Sequence, residues 1–398
     1  MFQSKRINKM ECSPIRKLAE FEAIAKKKGV EVIHLNIGQP DVATPVSMLD
    51  AVRKFDGTVL KYADSRGLPS TVDTFIKYYS KIGIDFEARD MVVTNGGSEA
   101  LLFAFIATCD IGDEIIVPAP YYSNYNSFAD IANVKFNPVL STLEEDYKLP
   151  SAADLEKAIT DKTKAILFSN PCNPTGAVYT HEELMEVLNL AKKHDLYVIS
   201  DEVYREYVYD GLKPMSIYDL NYETDRIILI DSLSKRYSAC GARVGIIASK
   251  NRELMDNVLK LGQSRLSIPT LEQVMASSIL EVPEEYIVET QKLYERRRNA
   301  VIDALSKVEG VKCSNPRGAF YIMVRLPVKD SDHFAKWILS DFDYEGKTVM
   351  VAPAAKFYGI EDYGLNEVRL SYCLDEAVLV NAVNILEKAL IEYKKIYE

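Results

Sequence analysis

Between residues 91 and 248 the chain alternates short apolar runs with longer stretches of helical spacing. The runs are Met91–Thr94, Glu114–Val117, Val134–Val139, Ala165–Ser169, Leu196–Ser200, Ile227–Ile230 and Val244–Ala248. The helical stretches are Ser98–Cys109, Tyr122–Ile131, Ser151–Ile159 and His181–His194. Runs apolar on both faces must be covered on both faces, and helices between successive strands do this. The pattern predicts an α/β fold: a mostly parallel, seven-stranded sheet flanked by helices.

After residue 250 the pattern changes. A long polar helical stretch, Glu284–Lys307, leads to strand-like Ala319–Leu326 and Glu367–Tyr372 and a closing amphipathic helix, Ala377–Tyr393. These predict a smaller α+β domain. Three parts are expected: residues 1–50 as a segment packing with the small domain, 51–283 as the large domain, and 284–398 as the small domain. Open parallel sheets bind ligands beyond the carboxyl ends of their strands, so the loops after each run are where chemistry is sought.

Composition narrows the partners. The 398 residues carry a net charge of -10, which argues against nucleic acid or an anionic membrane surface. The longest apolar run, Ala100–Cys109, is too short to span a bilayer. Six cysteines, Cys12 among them, are scattered without Cys-x-x-Cys pairs, and the four histidines lack metal spacing. No apolar stretch follows Lys5 and Arg6. A soluble, cytoplasmic protein without a bound metal is expected.

Lys235 stands in Ser232-Leu233-Ser234-Lys235, directly after an apolar run, with Arg243 downstream. An amine that forms a Schiff base needs a rigid support and anion-binding groups to hold a phosphorylated aldehyde against it. Ser232, Ser234 and Arg243 suit that task. Alone, the motif also reads as a solvated lysine in a loop, and it gains weight from its neighbours. Asp201 ends a buried run, where a carboxylate needs a cation or donors; a protonated pyridine nitrogen is such a partner. Tyr204 lies three residues on. Asn170-Pro171-Cys172-Asn173-Pro174-Thr175-Gly176 spells rigid turns that can aim the Asn173 amide. Gly97 and Ser98 open a helical stretch, whose N-terminus favours an anion. Tyr122 offers a flat ring for stacking. Arg369 sits among strand residues and calls for an anion, with carboxylate its two-pronged match. The loop holding Tyr62 shows nothing by itself.

Taken in order, these residues resemble the class I/II aminotransferases, the fold-type I enzymes that use pyridoxal phosphate, and most of all their aspartate/aromatic-type subgroup. The resemblance runs from Asn36-Ile37-Gly38-Gln39-Pro40-Asp41 to Arg369. It implies that Lys235 forms the Schiff base with the cofactor, Asp201 pairs with the pyridine nitrogen, Asn173 and Tyr204 hold the phenolate oxygen, and Tyr122 stacks on the ring. Gly97, Ser98, Ser232 and Arg243 would hold the phosphate. Tyr62 would reach the neighbouring subunit's phosphate, which implies a homodimer with shared sites. Arg369 would grip the substrate carboxylate, helped by Gly38 and Asn173. The implied reaction moves an amino group between an L-amino acid and a 2-oxo acid by ping-pong kinetics. Substrates of the aspartate/glutamate or the aromatic/alanine type are expected, with Arg265 a candidate selector of dicarboxylates. A C–S β-lyase uses the same machinery and stays open, as does a regulatory protein on the same scaffold.

Overall fold

The computed structural model describes residues 3–10 and 16–397, so Cys12 lies outside the described residues. Seven strands form the central sheet: β1 Met91–Asn95, β2 Glu114–Ala119, β3 Lys135–Leu140, β4 Thr163–Ser169, β5 Tyr197–Asp201, β6 Ile227–Ser232 and β7 Val244–Ala248. Their order is β1-β7-β6-β5-β4-β2-β3. All pairs are parallel except those of β7, which runs antiparallel to both β6 and β1. The reason is chain length. A parallel return needs a helical crossover, and the short connection 233–243 leaves no room for one.

Alternation along these strands feeds two cores. Ile228 and Ile230 of β6 pack with Leu101, Phe105, Ile166 and Ile199 on one face. Leu229 packs with Phe75, Tyr79, Val93 and Ile246 on the other. The helix Gly96–Thr108 lies in the first layer and buries Ala100, Leu101, Phe103, Ala104 and Phe105. Helix His181–Lys193 starts on a capping box, in which Thr180 and Glu183 satisfy each other's backbone N–H groups. The Tyr122–Ile131 stretch becomes helical only at Asn124, and the Tyr121 N–H ahead of it bonds to the Phe357 carbonyl at 2.8 Å.

A second, antiparallel sheet comprises Lys312–Cys313, Tyr321–Arg325, Glu367–Ser371 and Ala352–Pro353. Helices Glu284–Leu305 and Glu376–Tyr397 pack on each other. This region has its own core, built on Phe320, Ile322, Phe334, Leu370 and Leu386. Strand Glu31–His34 pairs in parallel with Lys347–Met350, which ties the amino-terminal segment to the carboxyl-terminal region. Helices Val46–Arg53 and Pro69–Lys81 precede the apolar alternation. Pro69 in the first turn marks the second one's start.

Candidate active site

A cavity of about 240 Å³ opens at the carboxyl ends of β4, β5 and β6, where the two sheets' regions meet. Of the residues singled out in the sequence, it is lined by Gly38, Gly97, Ser98, Tyr122, Asn173, Asp201, Tyr204, Ser232, Lys235, Arg243 and Arg369. They come from distant parts of the chain, most of them delivered by the end of a strand or the turn after it, with Arg243 just before β7 and Arg369 within its strand.

Lys235 stands on a single-turn helix, Leu233–Arg236, that follows β6. Its Nζ donates to the Gly38 carbonyl at 2.8 Å and lies 3.7 Å from Cys240 Sγ. Burial works against its charge, but Tyr321, Cys240 and Tyr122 favour the charge more strongly, so its pKa stands above the ordinary lysine value. Gly38 must be glycine here, since a Cβ on it would fall 1.8 Å from the Tyr321 hydroxyl.

One end of the cavity is built for an anion. Gly97 and Ser98 lie in the first turn of the Gly96–Thr108 helix, where unpaired N–H groups and the helix dipole attract negative charge. Arg243 closes this end from a left-handed backbone conformation (φ 54°). Among the described residues its guanidinium has only carbonyls for partners, those of Cys240 and Asn95. Gly96 (φ 73°) permits that approach, because a Cβ would come 2.5 Å from Arg243 Nη2. The Ser232 and Ser234 hydroxyls are linked at 2.8 Å beside it.

Asp201 lies at the other end, the last residue of β5 and only 5% exposed. It accepts from the Tyr125 hydroxyl at 2.6 Å and from the Val203 N–H at 3.4 Å. No arginine or lysine among the described residues pairs with it. Burial therefore dominates, and its pKa is pushed up to about 6. An acid so placed is stabilised by whatever cation enters the cavity.

Arg369 crosses the third wall on strand Glu367–Ser371. It donates to Asn173 Oδ1 at 2.9 Å and to the Asn36 carbonyl at 2.7 Å. Its guanidinium stacks 4.4 Å above the Tyr321 ring, while its buried Nε has no partner among the described residues. An arginine without an acid, braced on its flat face, presents its edge to a carboxylate. Asn173 is aimed by a loop that bonds to itself, Cys172 N–H to the Ala177 carbonyl at 2.8 Å and Gly176 N–H to the Cys172 carbonyl at 2.9 Å. The Tyr204 hydroxyl meets that of Tyr321 at 2.9 Å, and burial raises its pKa well above the usual tyrosine value. Tyr122, whose hydroxyl accepts from Asn124 at 2.8 Å, packs edge-on to Tyr125.

Two singled-out residues do not reach this cavity. Tyr62 is 81% exposed. Arg265 is committed elsewhere: Nε pairs with Glu99 at 3.1 Å and Nη2 donates to the Val93 carbonyl at 2.6 Å. Within its own chain it is anchored to the Gly96–Thr108 helix and to β1. Conversely, Tyr125, Tyr321, Asn36 and Cys240 line the cavity without having been singled out. Tyr125 lies in the first turn of the helix that follows Tyr122 and packs edge-on against that ring. Tyr321 carried no signal, because in sequence it is one more aromatic in a strand.

The model of the aminotransferase class I and II family matches residues 30–386. The aspartate aminotransferase of Thermotoga maritima is 37% identical over 363 residues, covering 89% of this chain and 91% of that protein. That of Pyrococcus horikoshii is 30% identical over 98% of this chain and 97% of that protein. Among solved structures, an alanine aminotransferase from Pyrococcus furiosus superposes with a TM-score of 0.90 at 32% identity, covering 98% of this chain and 100% of the other. The chain belongs to the class I and II aminotransferases. It is an enzyme that uses pyridoxal phosphate. The cavity fits that group on its own terms: an amine, an anion cradle with an acid-free arginine, and a buried carboxylate lacking a cation stand around one space. No helix among the described residues is long and apolar enough to cross a membrane.

Proposed function

We propose that this enzyme moves an amino group between an L-amino acid and a 2-oxo acid in two half-reactions, with Lys235 as the proton carrier. The observation that carries the assignment of roles is the uncompensated Asp201 carboxylate facing the same cavity as Lys235 and Arg243. Pyridoxal phosphate, when bound, supplies an aldehyde carbon for the amine and a cationic ring that takes up the electron pair left at the substrate Cα. Asp201 keeps the ring nitrogen protonated, and its own carboxyl gains the cation it lacks. Gly97, Ser98, Ser232 and Arg243 hold the phosphate. Asn173 and Tyr204 hold the ring's phenolate oxygen, and Tyr122 stacks on the ring. Arg369 grips the α-carboxylate and, with Gly38 and Asn173, turns the Cα–H toward Lys235. Lys235 would hold the cofactor's aldehyde end and, as a free amine in the same cavity, would be the group placed to carry the proton at the substrate Cα.

Relatives named for aspartate and for alanine support a donor of the aspartate/glutamate or alanine/aromatic type. The test is spectroscopic. The loaded enzyme should absorb in the visible, and one equivalent of a good amino donor without an oxo acid should remove that band. Stoichiometric 2-oxo acid should appear. Release of pyruvate, ammonia and thiol from a cysteine conjugate would instead make it a β-lyase.

The chain is proposed to work as a cytoplasmic homodimer, with Tyr62 reaching the partner's cofactor phosphate. Val59, Leu60 and Tyr62 are exposed side by side, and the Lys61 carbonyl between them is anchored by Thr270 at 3.2 Å. Such an apolar patch is suited to burial against a second copy. Light scattering checks the dimer. Mixing Lys235→Ala with Tyr62→Ala chains should restore activity if sites are shared. Residues 51–283 are proposed as the cofactor domain, over which 284–398 with 1–50 closes.

A further inference from the structure

Directly behind the cavity lies a buried network of charges with no part in the roles assigned above. Arg236, the neighbour of Lys235, has a fully buried side chain and donates both to Asp231 Oδ1 at 2.9 Å and to Oδ2 at 2.8 Å. Asp231 is 0% exposed and also accepts from the Tyr79 hydroxyl at 2.6 Å and the Ser232 N–H at 2.7 Å. Arg236 Nε touches Glu206 Oε2 at 2.7 Å, a close ion contact without hydrogen-bond alignment. Arg205 joins Glu206 at 3.1 Å to Glu202 at 3.2 Å. Four of these residues adjoin a cavity residue in sequence: Glu202 follows Asp201, Arg205 follows Tyr204, Asp231 precedes Ser232, and Arg236 follows Lys235.

The alternation is structural. At the end of β6, Ser232 faces the cavity and Asp231 faces away. In the turn that follows, Lys235 faces the cavity and Arg236 lies on the network side. A one-turn helix cannot hold itself in water, since nucleation costs more than its few hydrogen bonds return. Its orientation is set by what grips it. The Asp231–Arg236 pair grips it from beneath, and the Tyr207 hydroxyl holds the Lys235 carbonyl at 2.9 Å.

We infer that the Asp231–Arg236 pair is a positioning device for the reactive amine: it staples the end of β6 to the turn bearing Lys235, and through Arg205 and Glu206 it joins that turn to the wall bearing Asp201 and Tyr204. Asp231 and Arg236 are positioning residues that touch neither cofactor nor substrate. This rests on the proposed role of Lys235.

The test compares Arg236→Met with Arg236→Lys in the loaded enzyme, with Tyr79→Phe as a milder variant. Four quantities are read: the cofactor dissociation constant, the pH midpoint of the visible band, kcat against KM for the amino donor, and the thermal midpoint. Arg236→Met should lower kcat by about tenfold or more with KM held within about twofold, and should weaken cofactor retention and move the pH midpoint. Arg236→Lys should recover part of each, because it restores the charge without the fork. A lowered thermal midpoint alone, with kcat, retention and pH midpoint at wild-type values, overturns the inference. Should Arg236→Met fail to fold, Tyr79→Phe must show the same signature at about twofold to threefold size; wild-type values in both Tyr79→Phe and Arg236→Lys also overturn it. Wild-type protein that takes up no cofactor would instead sink the proposed role of Lys235.

Discussion

The cavity and the network behind it hold similar side chains under opposite conditions. In the network every described charge has an opposite charge beside it. Burial works against the Glu206 carboxylate, yet Arg236 and Arg205 hold its pKa down at about 2. In the cavity the charges face space: among the described residues Asp201 has hydroxyl and backbone donors, Arg243 has carbonyls, Lys235 has a carbonyl and the Cys240 sulfur, and Arg369 has an amide, a carbonyl and a bare Nε. Both regions desolvate ions, which costs several kcal/mol each unless they are compensated. The network is compensated mostly by the chain itself, although burial still raises the Glu202 carboxyl to about 7 against the pull of Arg205. The cavity leaves compensation to a ligand that is anionic at one end and cationic at the other, and this difference separates a structural cluster from a binding site.

The sharpest break of that comparison is Lys235→Ala. It should lower amino transfer by at least about 10³-fold, because the proton carrier is lost, while the protein still retains cofactor through Asp201 and Arg243. Coupled assay and absorbance measure the two separately.

Asp201→Asn comes next. It should cost the loaded enzyme about 10²-fold or more in kcat by leaving the ring nitrogen without its counter-charge. In the cofactor-free protein the sign reverses. A folded-state pKa raised from 3.8 to about 6 means that the folded state holds its proton longer than the unfolded chain. Stability is therefore undiminished below pH 4, falls as pH rises toward 6, and stays lower above it. Two units correspond to about 3 kcal/mol. Asp201→Asn should recover up to that amount at pH 8 and nothing at pH 4, measured by urea melts. Cofactor should remove the difference, since a cation beside Asp201 draws its pKa back down.

Arg369→Lys should raise KM for the amino donor by about 30-fold with a smaller effect on kcat, because a point charge replaces a two-pronged contact. The smallest change is Tyr204→Phe, which removes one hydroxyl worth about 1 kcal/mol, or about fivefold in kcat/KM. An effect of Tyr204→Phe as large as that of Arg369→Lys would place Tyr204 among the charged groups rather than the trimming ones.

The strands were legible because most of them are apolar on both faces, as a doubly covered sheet demands; edge strand β3, with Lys135 and Asn137, is the exception. The small strands Lys312–Cys313 and Ala352–Pro353 were not, since two-residue elements carry no period. Within the cavity, residues that occur in unusual company could be singled out: Asn173 between two prolines, Lys235 after two serines, Asp201 at the end of an apolar run. Tyr321 and Asn36 could not, because nothing local distinguishes an aromatic that braces Arg369 at 4.4 Å from any other buried ring.

Sequence alone determined which side chains carry chemistry and the alternating frame that sets them at strand ends, because periodicity and turn residues are local properties of the chain. Tertiary structure decided which of them meet. It gave Arg369 to Asn173 and left Asp201 without a cation. It bound Arg265 to Glu99 and turned Arg236 away from the cavity that its neighbour Lys235 faces. Pairing between groups hundreds of residues apart depends on how the sheets and helices pack, and that information is held by no segment taken singly.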